Sequence, residues 1–422
     1  MVGSGGREHA LVWKIARSPR ATAVLAAPGS DAIAREASCF PGLRADDVDA
    51  IVALATREGV DLVVVGPEAP LAAGLVDRLR EAGVAAFGPT RAAAQLESSK
   101  GFAKQFMARQ RIPTAAFQIF DDLAAAQAYA RELEGVCVVK ADGLAAGKGV
   151  AVCSDVGEAD QALKEIMSAR RFGDAGARVV IEERLVGEEL SYYAISDGEH
   201  VLTLGAAQDH KRALDGDLGE NTGGMGAYSP AAVLSQAVEK RVLEEIVYPT
   251  IRGMQAEGHP YTGVLYVGLM VDALGAPRVV EFNARFGDPE TQPLVVRMDG
   301  DLLPLLDASA RGELERVAPP GFRDAAVCVV LASGGYPREY PTGLAIAGLD
   351  EAEALDDVVV FHAGTRSRPE GGFETAGGRV LGVTARGDSV AEARERAYAA
   401  ADLIHFEGMH LRRDISARAL ST

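Results

Sequence analysis

Cysteine is scarce in this sequence, and the few cysteines are scattered. Only Cys39, Cys137, Cys153 and Cys328 occur among 422 residues, and no two of them have the Cys-x-x-Cys spacing. Proteins that depend on disulfides, and proteins with structural zinc sites, usually carry denser and more regular cysteines. The distribution therefore argues against both classes.

Long apolar runs are also absent. No stretch of the chain reaches the length needed to cross a membrane. The first ten residues, MVGSGGREHA, lack the apolar segment of a secretory signal. We therefore expect a cytoplasmic protein with no membrane partner.

The sequence has fewer basic residues than acidic residues. Lysine and arginine number 43 against 60 aspartate and glutamate residues, so the formal net charge is −17 at pH 7. Proteins that bind nucleic acid usually present a basic face, so no nucleic-acid partner is expected. A local basic pocket remains compatible with this overall acidity.

The first 98 residues alternate apolar, strand-like segments with segments of helical period. TAVLAAPG (22–29), DLVVVG (61–66) and VAAFGP (84–89) have the length and composition of buried strands. Such alternation predicts a parallel sheet with helices on both faces. Ligands of these sheets bind at the carboxyl ends of the strands.

The rest of the chain divides into two further units, which fits its length. A helix, a break at Ile112-Pro113 and a strand open a central unit over 99–320, within which 123–186 is a compact αβ piece. A strand-rich tail with one helix occupies 321–422. We predict an α/β protein with domains at 1–98, 99–320 and 321–422, the last of them α+β.

The stretch VVKADGLAAGKGVAV (138–152) combines Lys140 and Lys148 with a glycine-rich segment. This pattern favours a phosphate chain, although two solvated lysines beside a turn would look the same. A Walker A loop needs four residues between its glycines and a hydroxyl after its lysine; here three residues intervene, and Gly149 follows. Residues 3–8, GSGGRE, likewise fail the dinucleotide fingerprint at the sixth position.

The stretch VVIEERLVGEELS (179–191) is an apolar strand that runs into an acidic connection. Exposed backbone groups at such a strand end can pair with the edge of a flat heterocycle, and Glu189 could accept ribose hydroxyls. A plain acidic connector is the alternative, and in isolation it is the better interpretation.

The stretch VVEFNARFGDPETQP (279–293) carries Glu281 and Asn283 two residues apart on a predicted strand, hence on one face. Both are oxygen donors suited to Mg²⁺. Arg285 continues that face and could clamp a phosphate or a carboxylate. The alternative is a polar strand edge.

The stretch AQDHKRALDGDLGENTGGMGAYSP (207–230) places Asp209, Lys211 and Arg212 before a glycine-rich loop at 215–226. The backbone N–H groups of such a loop can bind an anion. A surface loop without a ligand is the alternative. The histidines share no spacing typical of metal ligands.

Together, these motifs follow the order of an ATP-grasp ligase, which the chain resembles. The order is Lys104, Lys140, the glycine-rich loop with Lys148, Glu182-x-x-Leu185-x-x-x-Glu189, and Glu281-x-Asn283. The longer strings GSGGREHAL, VVKADGLAAGKGV, QDHKR, NTGGMGAYSP and EFNARFGDPETQ resemble the phosphoribosylamine–glycine ligase family over essentially the whole chain.

The resemblance implies a pre-ATP-grasp domain, an ATP-grasp domain whose piece 123–186 is a mobile lid, and a C-terminal domain. It also implies the ligation of glycine to 5-phosphoribosylamine through glycyl phosphate, with these small molecules and ATP as the substrates and Mg²⁺ or Mn²⁺ as the metal. A monomer is favoured over an oligomer.

Site residues follow from the same resemblance. The implied ATP-binding residues are Lys104, Lys140, Gly147, Lys148, Glu182, Glu183, Leu185 and Glu189. The implied substrate-binding residues are Gly5, Gly6, Arg7, Lys211, Gly223, Gly224 and Asp288. Glu281 and Asn283 would hold the metal, and Arg285 and Asp209 would face the reacting groups.

Two features depart from the wider pattern. ATP-grasp ligases often place a further carboxylate on the strand that pairs with the Glu-x-Asn strand, and here that position is Gly268. The sequence also starts two residues before Gly3, where the family has a full first strand. Either the start is misassigned or the strand is clipped, and we expect a clipped strand to leave neighbouring backbone groups unpaired.

Three alternatives remain. The first is another ATP-grasp ligase or a carboxylase that acts through carboxyphosphate; QDHKR and NTGGMGAYSP argue against it, and glycine dependence would separate the two. A non-catalytic nucleotide-binding protein is the second, which ADP release would exclude. A nicotinamide-linked dehydrogenase is the third, already weakened by the failed fingerprint.

Overall fold

The computed structural model describes residues 1–145, 149–169 and 173–420. The predicted phosphate-loop residues Gly147 and Lys148 lie outside these ranges. Within them, no helix combines the length and apolar character required to traverse a bilayer.

A parallel sheet forms the first unit. Its strands are β1 (Val2–Gly3), β2 (Leu25–Pro28), β3 (Ser38–Cys39), β4 (Leu62–Val64) and β5 (Ala85–Phe87). Its helices are α1 (Gly6–Ala16), α2 (Val48–Arg57), α3 (Glu68–Ala72), α4 (Leu75–Glu81) and α5 (Gln95–Ser98). A parallel bridge between Val2 and Val65 joins β1 to the β4–β5 pair, which gives the order β3-β2-β1-β4-β5.

The first strand is only two residues long, and its neighbours are nevertheless partly paired. The Met1 α-amino group donates to the carbonyl of Leu25 (2.7 Å), and the Met1 carbonyl accepts from Ala27 (2.9 Å). The expectation of unpaired backbone is therefore wrong at these two positions. A cavity of about 510 Å³ adjoins Met1 between β2 and β4, at the end of the sheet opposite the loop at Gly5.

A small antiparallel sheet, of order β6-β9-β7-β8, is inserted after the long helix α6 (Lys100–Gln110). Its elements are β6 (Phe117–Phe120), α7 (Leu123–Glu132), β7 (Val136–Ala141), β8 (Val150–Ser154), α8 (Val156–Leu163) and β9 (Val179–Glu183). The sheet thus includes β6, which lies before residue 123, the predicted start of this piece. Cys137 and Cys153, far apart in the sequence, face each other across β7 and β8.

An eight-stranded antiparallel sheet forms the centre of the molecule, in the order β16-β15-β10-β11-β14-β19-β24-β21. These strands are β10 (Glu188–Asp197), β11 (Val201–Asp209), β14 (Gly226–Ser229), β15 (Thr262–Val271), β16 (Pro277–Asn283), β19 (Ala325–Ala332), β21 (Val358–His362) and β24 (Arg379–Gly387). Shorter strands are β12 (Arg212–Leu214), β13 (Leu218–Asn221), β17 (Met298–Asp299), β18 (Gly321–Phe322), β20 (Ala345–Ile346), β22 (Thr365–Ser367) and β23 (Phe373–Thr375).

Helices cover this sheet, and their apolar faces complete its core. They are α9 (Gln236–Arg241), α10 (Tyr248–Ala256), α11 (Thr291–Arg297), α12 (Leu303–Arg311), α13 (Leu349–Glu353) and α14 (Val390–Ala401). Two π-helical segments, Lys164–Ser168 and Val242–Val247, extend neighbouring helices. The tail therefore contains α13 and α14, where the sequence predicted one helix.

The sheet is continuous from the central unit into the tail. Strand β14 pairs with β19 along four residues, from Gly226 opposite Val329 to Ser229 opposite Ala326. The expected boundary between 320 and 321 thus separates two paired strands of one sheet. The glycine-rich loop at 215–226 is also more ordered than predicted, because β12 and β13 form a ribbon within 212–221.

Candidate active site

The hairpin of β15 and β16 presents Glu281 and Asn283 from one strand. Gly268 lies directly opposite Glu281, as predicted, and Tyr266 lies opposite Asn283. A Cβ atom on Gly268 would be 3.3 Å from Cγ of Glu281, so this glycine leaves room for the carboxylate chain above it.

Lysines surround the Glu281 carboxylate. Burial alone would raise its pKa, but the positive charges of Lys100, Lys211 and Lys140 lower the pKa to about 2. Glu281 is therefore ionised at neutral pH, and the surrounding charge is suited to an anionic ligand. Across the described ranges, no three His, Cys, Asp or Glu side chains cluster closely enough to hold a metal ion together.

Lys104 and Lys140 share one buried carboxylate. Their Nζ atoms lie 2.8 Å and 2.9 Å from the oxygens of Glu182, and all three side chains are almost fully buried. Lys140 also donates to the carbonyl of Val280 in β16 (2.9 Å), which ties the small sheet to the Glu281 strand. Burial lowers the pKa of Lys104 to about 8, although the Glu182 charge acts in the opposite direction.

Glu183 is already engaged on two sides. Its N–H donates to the carbonyl of Ala116 (2.9 Å), and its carboxylate pairs with Arg278. Any backbone contact from Glu183 to a base would therefore come from its carbonyl oxygen. Leu185 is half-buried in the short connection between β9 and β10.

Glu189, at the start of β10, pairs with Lys211, which follows the end of β11. The Nζ atom of Lys211 lies 3.0 Å from Oε2 of Glu189, and this lysine lowers the pKa of the carboxyl group. The pairing brings a predicted ATP-binding residue and a predicted substrate-binding residue together.

Asp209 lies in a cluster of acids and tyrosines. Its Oδ1 atom is buried and has no hydrogen-bond partner among the residues that the structure describes. Burial, followed by the charge of Glu290, raises its pKa well above the ordinary value. Glu290 itself accepts from the hydroxyls of Tyr266 (2.8 Å) and Ser191 (3.3 Å).

Arg285 is held between two carboxylates. Its guanidinium lies 3.2 Å from Glu97 and 3.4 Å from Glu68, and it donates to the carbonyl of Phe286 (3.2 Å). Burial would lower the pKa of Arg285, but Glu97 and Glu68 outweigh it and raise the pKa. Because Glu68 belongs to the first unit, this network connects that unit to the hairpin.

The first turn of α1 packs against Asp288. A Cβ atom on Gly6 would lie 3.6 Å from Oδ1 of Asp288, and the N–H of Gly5 donates to Glu8 (2.7 Å). Arg7 donates to the carbonyl of Phe286 (3.1 Å). The predicted Gly5, Gly6 and Arg7 thus adjoin Asp288 across two units.

Arg379 of β24 also contacts Asp288. It donates to the carbonyls of Gly223 (2.5 Å) and Asp288 (2.7 Å), and it lies 3.2 Å from the Asp288 carboxylate. Burial would raise the pKa of Asp288, but Arg379 and then Arg7 lower it. Gly223 and Gly224 are therefore fixed beside Asp288 by a residue of the tail.

Several residues of this site are not among the predicted site residues, and the fold brings them next to those residues: Glu68, Glu97, Lys100, Tyr193, Tyr266, Glu290 and Arg379. Glu290 has the clearest signal in the sequence, since it belongs to the EFNARFGDPETQ string.

The chain matches known proteins along its whole length. Residues 1–97 match the family described as phosphoribosylglycinamide synthetase, N domain, residues 98–291 match its ATP-grasp (A) domain, and residues 326–418 match its C domain. A phosphoribosylamine–glycine ligase of Vibrio vulnificus is 50% identical over 422 residues, which is 100% of this chain and 98% of the relative.

Solved structures agree with this assignment. The crystal structure of phosphoribosylamine–glycine ligase from Thermotoga maritima has a TM-score of 0.84 and 33% identity, with 98% of each chain covered. The structure of a biotin carboxylase–beta-gamma-ATP complex from Campylobacter jejuni has a TM-score of 0.76 and 16% identity, and covers 100% of this chain and 94% of that one, so it shows a shared fold alone. With three matching domains in order and half of its residues identical to those of a relative of the same length, the chain belongs to the phosphoribosylglycinamide synthetase family.

Proposed function

We propose that this protein ligates glycine to 5-phosphoribosylamine and converts ATP to ADP and phosphate, a step of purine biosynthesis. The observation that carries this proposal is the convergence of all three units on one cleft. Arg379 of the tail and the first turn of α1 both adjoin Asp288, which follows the Glu281 hairpin, and lysine charges lower the pKa of Glu281.

The chemistry requires activation of a carboxylate. Transfer of the γ-phosphoryl group of ATP to glycine gives glycyl phosphate, and the amine of phosphoribosylamine then attacks its carbonyl carbon, so that phosphate leaves and an amide forms. Phosphoryl transfer depends mainly on positioning and on neutralising charge. Lys211, Arg285 and Lys140 supply positive charge around Glu281.

Glu281 and Asn283 are suited to hold Mg²⁺. The ionised carboxylate of Glu281 and the amide oxygen of Asn283 are hard donors on one strand face, and Gly268 opposite accommodates the Glu281 side chain. When bound, Mg²⁺ would offset the negative charge of the triphosphate. Manganese, which accepts similar oxygen donors, is the alternative ion.

The nucleotide would lie between the small sheet and the hairpin. We assign its phosphates to Lys104, Lys140, Gly147 and Lys148, and its ribose to Glu189. The carbonyl of Glu183 and the backbone of Leu185 would meet adenine. Glu182 would act through the two lysines that it pairs with rather than by touching ATP.

The two other substrates would bind nearer the first unit and the tail. We assign the phosphoribosylamine to Gly5, Gly6, Arg7, Gly223, Gly224 and Asp288, with Lys211 between it and the nucleotide. Asp209, whose pKa is raised, could accept the proton that the amine loses on attack. Arg285 would face the carboxylate of glycine.

Glycyl phosphate hydrolyses in water, so the site must close during turnover. We propose that residues 123–186, together with β6, move as a lid about the connection at 184–187. We propose that residues 1–98, 99–320 and 321–422 are the three domains of the chain. We further propose a cytoplasmic monomer that acts on small molecules only.

The decisive assay is ADP release with ATP, Mg²⁺ and glycine, with and without phosphoribosylamine generated in situ. We expect release that needs both glycine and the amine, and its loss in Glu281→Ala. Glu199→Ala, a change on the loop between β10 and β11, is the control and should keep activity. Release that is independent of glycine would contradict the proposal.

A further inference from the structure

A segment of the tail runs along the ribbon that follows Lys211. We call residues 410–418 the clasp and residues 212–221, which contain β12 and β13, the ribbon. A series of polar contacts joins the two. They are His410 Nε2 to the carbonyl of Ala213 (2.7 Å), the N–H of Arg413 to Asp215 (2.8 Å), the N–H of Gly216 to Asp414 (2.8 Å), Arg418 to Asp217, and the N–H of Ser416 to His210 (3.3 Å) just before the ribbon.

Arg412 lies at the centre of these contacts and is only 1% exposed. Its guanidinium group donates to the carbonyl of Arg212 (3.1 Å) and to the carboxylate of Asp217 (3.0 Å) on the ribbon. Two further bonds, both of 2.7 Å, join it to the carboxylate of Asp414. Charge-assisted and bidentate bonds are among the strongest and most directional in proteins, so Arg412 fixes the position at which the ribbon begins.

The ribbon depends on these contacts because it buries little apolar surface. Its leucines, Leu214 and Leu218, are 48% and 64% exposed, and β13 is exposed along its length. The pair of Arg338 with Glu220 is also exposed, and such pairs contribute little. The buried contacts of Arg412 are therefore the main link between the ribbon and the tail.

Lys211 connects the ribbon to the cleft. Its carbonyl accepts from the N–H (2.7 Å) and the hydroxyl (2.9 Å) of Thr222, where the two ends of the ribbon meet. Its ammonium group lies 3.0 Å from Glu189. The next residue is Arg212, whose carbonyl Arg412 binds, so a shift of the ribbon would carry Lys211 away from Glu189.

The clasp also acts on Glu189 through charge. Lys211, followed by Arg418 of the clasp, lowers the pKa of this carboxyl group, although burial would raise it. We propose that Arg412 is a positioning residue for nucleotide binding, which fixes the ribbon so that Lys211 and Glu189 are aligned at the edge of the cleft. The inference rests on the proposed function, which assigns the ribose of ATP to Glu189. The tail thus sets the affinity of a site in the central unit.

Binding of MgADP, measured by calorimetry, tests the inference without turnover. Arg412→Gln removes the charged contacts to the ribbon, and we expect the Kd for MgADP to rise about 10-fold. A merely structural defect would instead lower the fraction of molecules that bind and leave the Kd unchanged.

Asp217→Asn changes the other side of the same contact and provides the test if Arg412→Gln does not fold. The Asp217 side chain is 41% exposed, so its loss of charge is tolerated more easily. We expect the Kd for MgADP to rise about 3-fold in this variant.

A double variant shows whether Arg412 acts through Lys211. Lys211→Gln breaks the pair with Glu189 and should itself raise the Kd for MgADP about 10-fold or more. Residues that act as one unit are not additive, so adding Arg412→Gln to Lys211→Gln should change the Kd by less than about 2-fold. Fully additive effects would contradict positioning through Lys211.

Arg413→Gln is the matched control, one residue further along the clasp. Its side chain pairs with Asp402 (2.7 Å) at the end of α14, and its N–H still donates to Asp215 in the variant. The Kd for MgADP should stay the same. A rise equal to that of Arg412→Gln would show a general effect of charge in the clasp and would overturn the inference.

The outcomes separate the inference from the function. An unchanged Kd in Arg412→Gln and Asp217→Asn would overturn the role of Arg412, while glycine-dependent release of ADP by the natural chain kept the proposed function. If the natural chain released ADP without glycine, yet bound MgADP more tightly than Arg412→Gln, the proposed reaction would fall and the role of Arg412 would stand. A natural chain that binds no MgADP would overturn both.

Discussion

At the scale of residues, two adjacent carboxylates on β9 differ in what surrounds them. Glu182 is buried between Lys104 and Lys140, whereas Glu183 is half-exposed and pairs with Arg278. We predict that Glu182→Gln lowers the free energy of unfolding by about 3 kcal/mol or more, because it leaves two buried ammonium groups without a counter-charge. Urea unfolding of the purified variants would measure the loss.

Glu183→Gln provides the comparison on the same strand. Ion pairs that remain in contact with water contribute about 1 kcal/mol or less, so this variant should unfold close to the natural chain. Equal losses in the two variants would show that burial of the lysines is not what makes Glu182 important.

At the scale of elements, the connection between β9 and β10 has no room for a side chain at Gly187. A Cβ atom on Gly187 would lie 2.3 Å from the carbonyl oxygen of Val271. We predict that Gly187→Ala displaces the connection, costs about 1–3 kcal/mol of stability and raises the KM for ATP. Thermal unfolding and steady-state kinetics would test both effects. Gly42→Ala, with no atom within 4 Å of the added carbon, should change neither.

The elements also show what a sequence can predict. Glu281 and Asn283 share a face because strand side chains alternate, a feature of residues that are close in the chain. Gly268 lies opposite Glu281 only because the register of the hairpin shifts between Gly268 and Leu269, and the turn alone would not predict that shift. Arg379 instead reaches Gly223 and Asp288 across 156 and 91 residues, and no local pattern predicts such contacts.

The local sequence also does not predict which groups will surround a charged side chain in the folded protein. An acidic residue in an apolar strand, such as Glu182, does not reveal whether it will face lysines or a nucleotide. The sequence also does not predict that the Tyr193 hydroxyl lacks a hydrogen-bond partner among the described residues, because this depends on which hydroxyls reach Glu290 once β10 and β15 have paired.

At the scale of the whole molecule, buried histidines link stability to pH. Burial, assisted by the charge of His362, lowers the pKa of His9 to about 3, and burial with Arg412 lowers that of His210 to about 4. Unfolded histidine titrates near 6.5, so below that pH the unfolded chain binds more protons. We predict that stability falls as the pH drops through 6.5, by up to about 1.4 kcal/mol per pH unit for each histidine.

His9→Asn would test this linkage. The Nδ1 atom of His9 accepts the N–H of His362 (2.9 Å), and an asparagine oxygen can accept in its place without titrating. Urea unfolding at several pH values should give a shallower dependence in this variant. A slope equal to that of the natural chain would contradict the assignment.

The pairing of β14 with β19 has a consequence for how the chain is made. During synthesis, residues 226–229 leave the ribosome about a hundred residues before Ala326–Val329, the partners that complete the sheet. Until then, β14 is an open strand edge, which can pair with other chains. The nascent protein therefore passes through a stage at which this strand edge is unpaired, and this stage ends only when the tail has been translated.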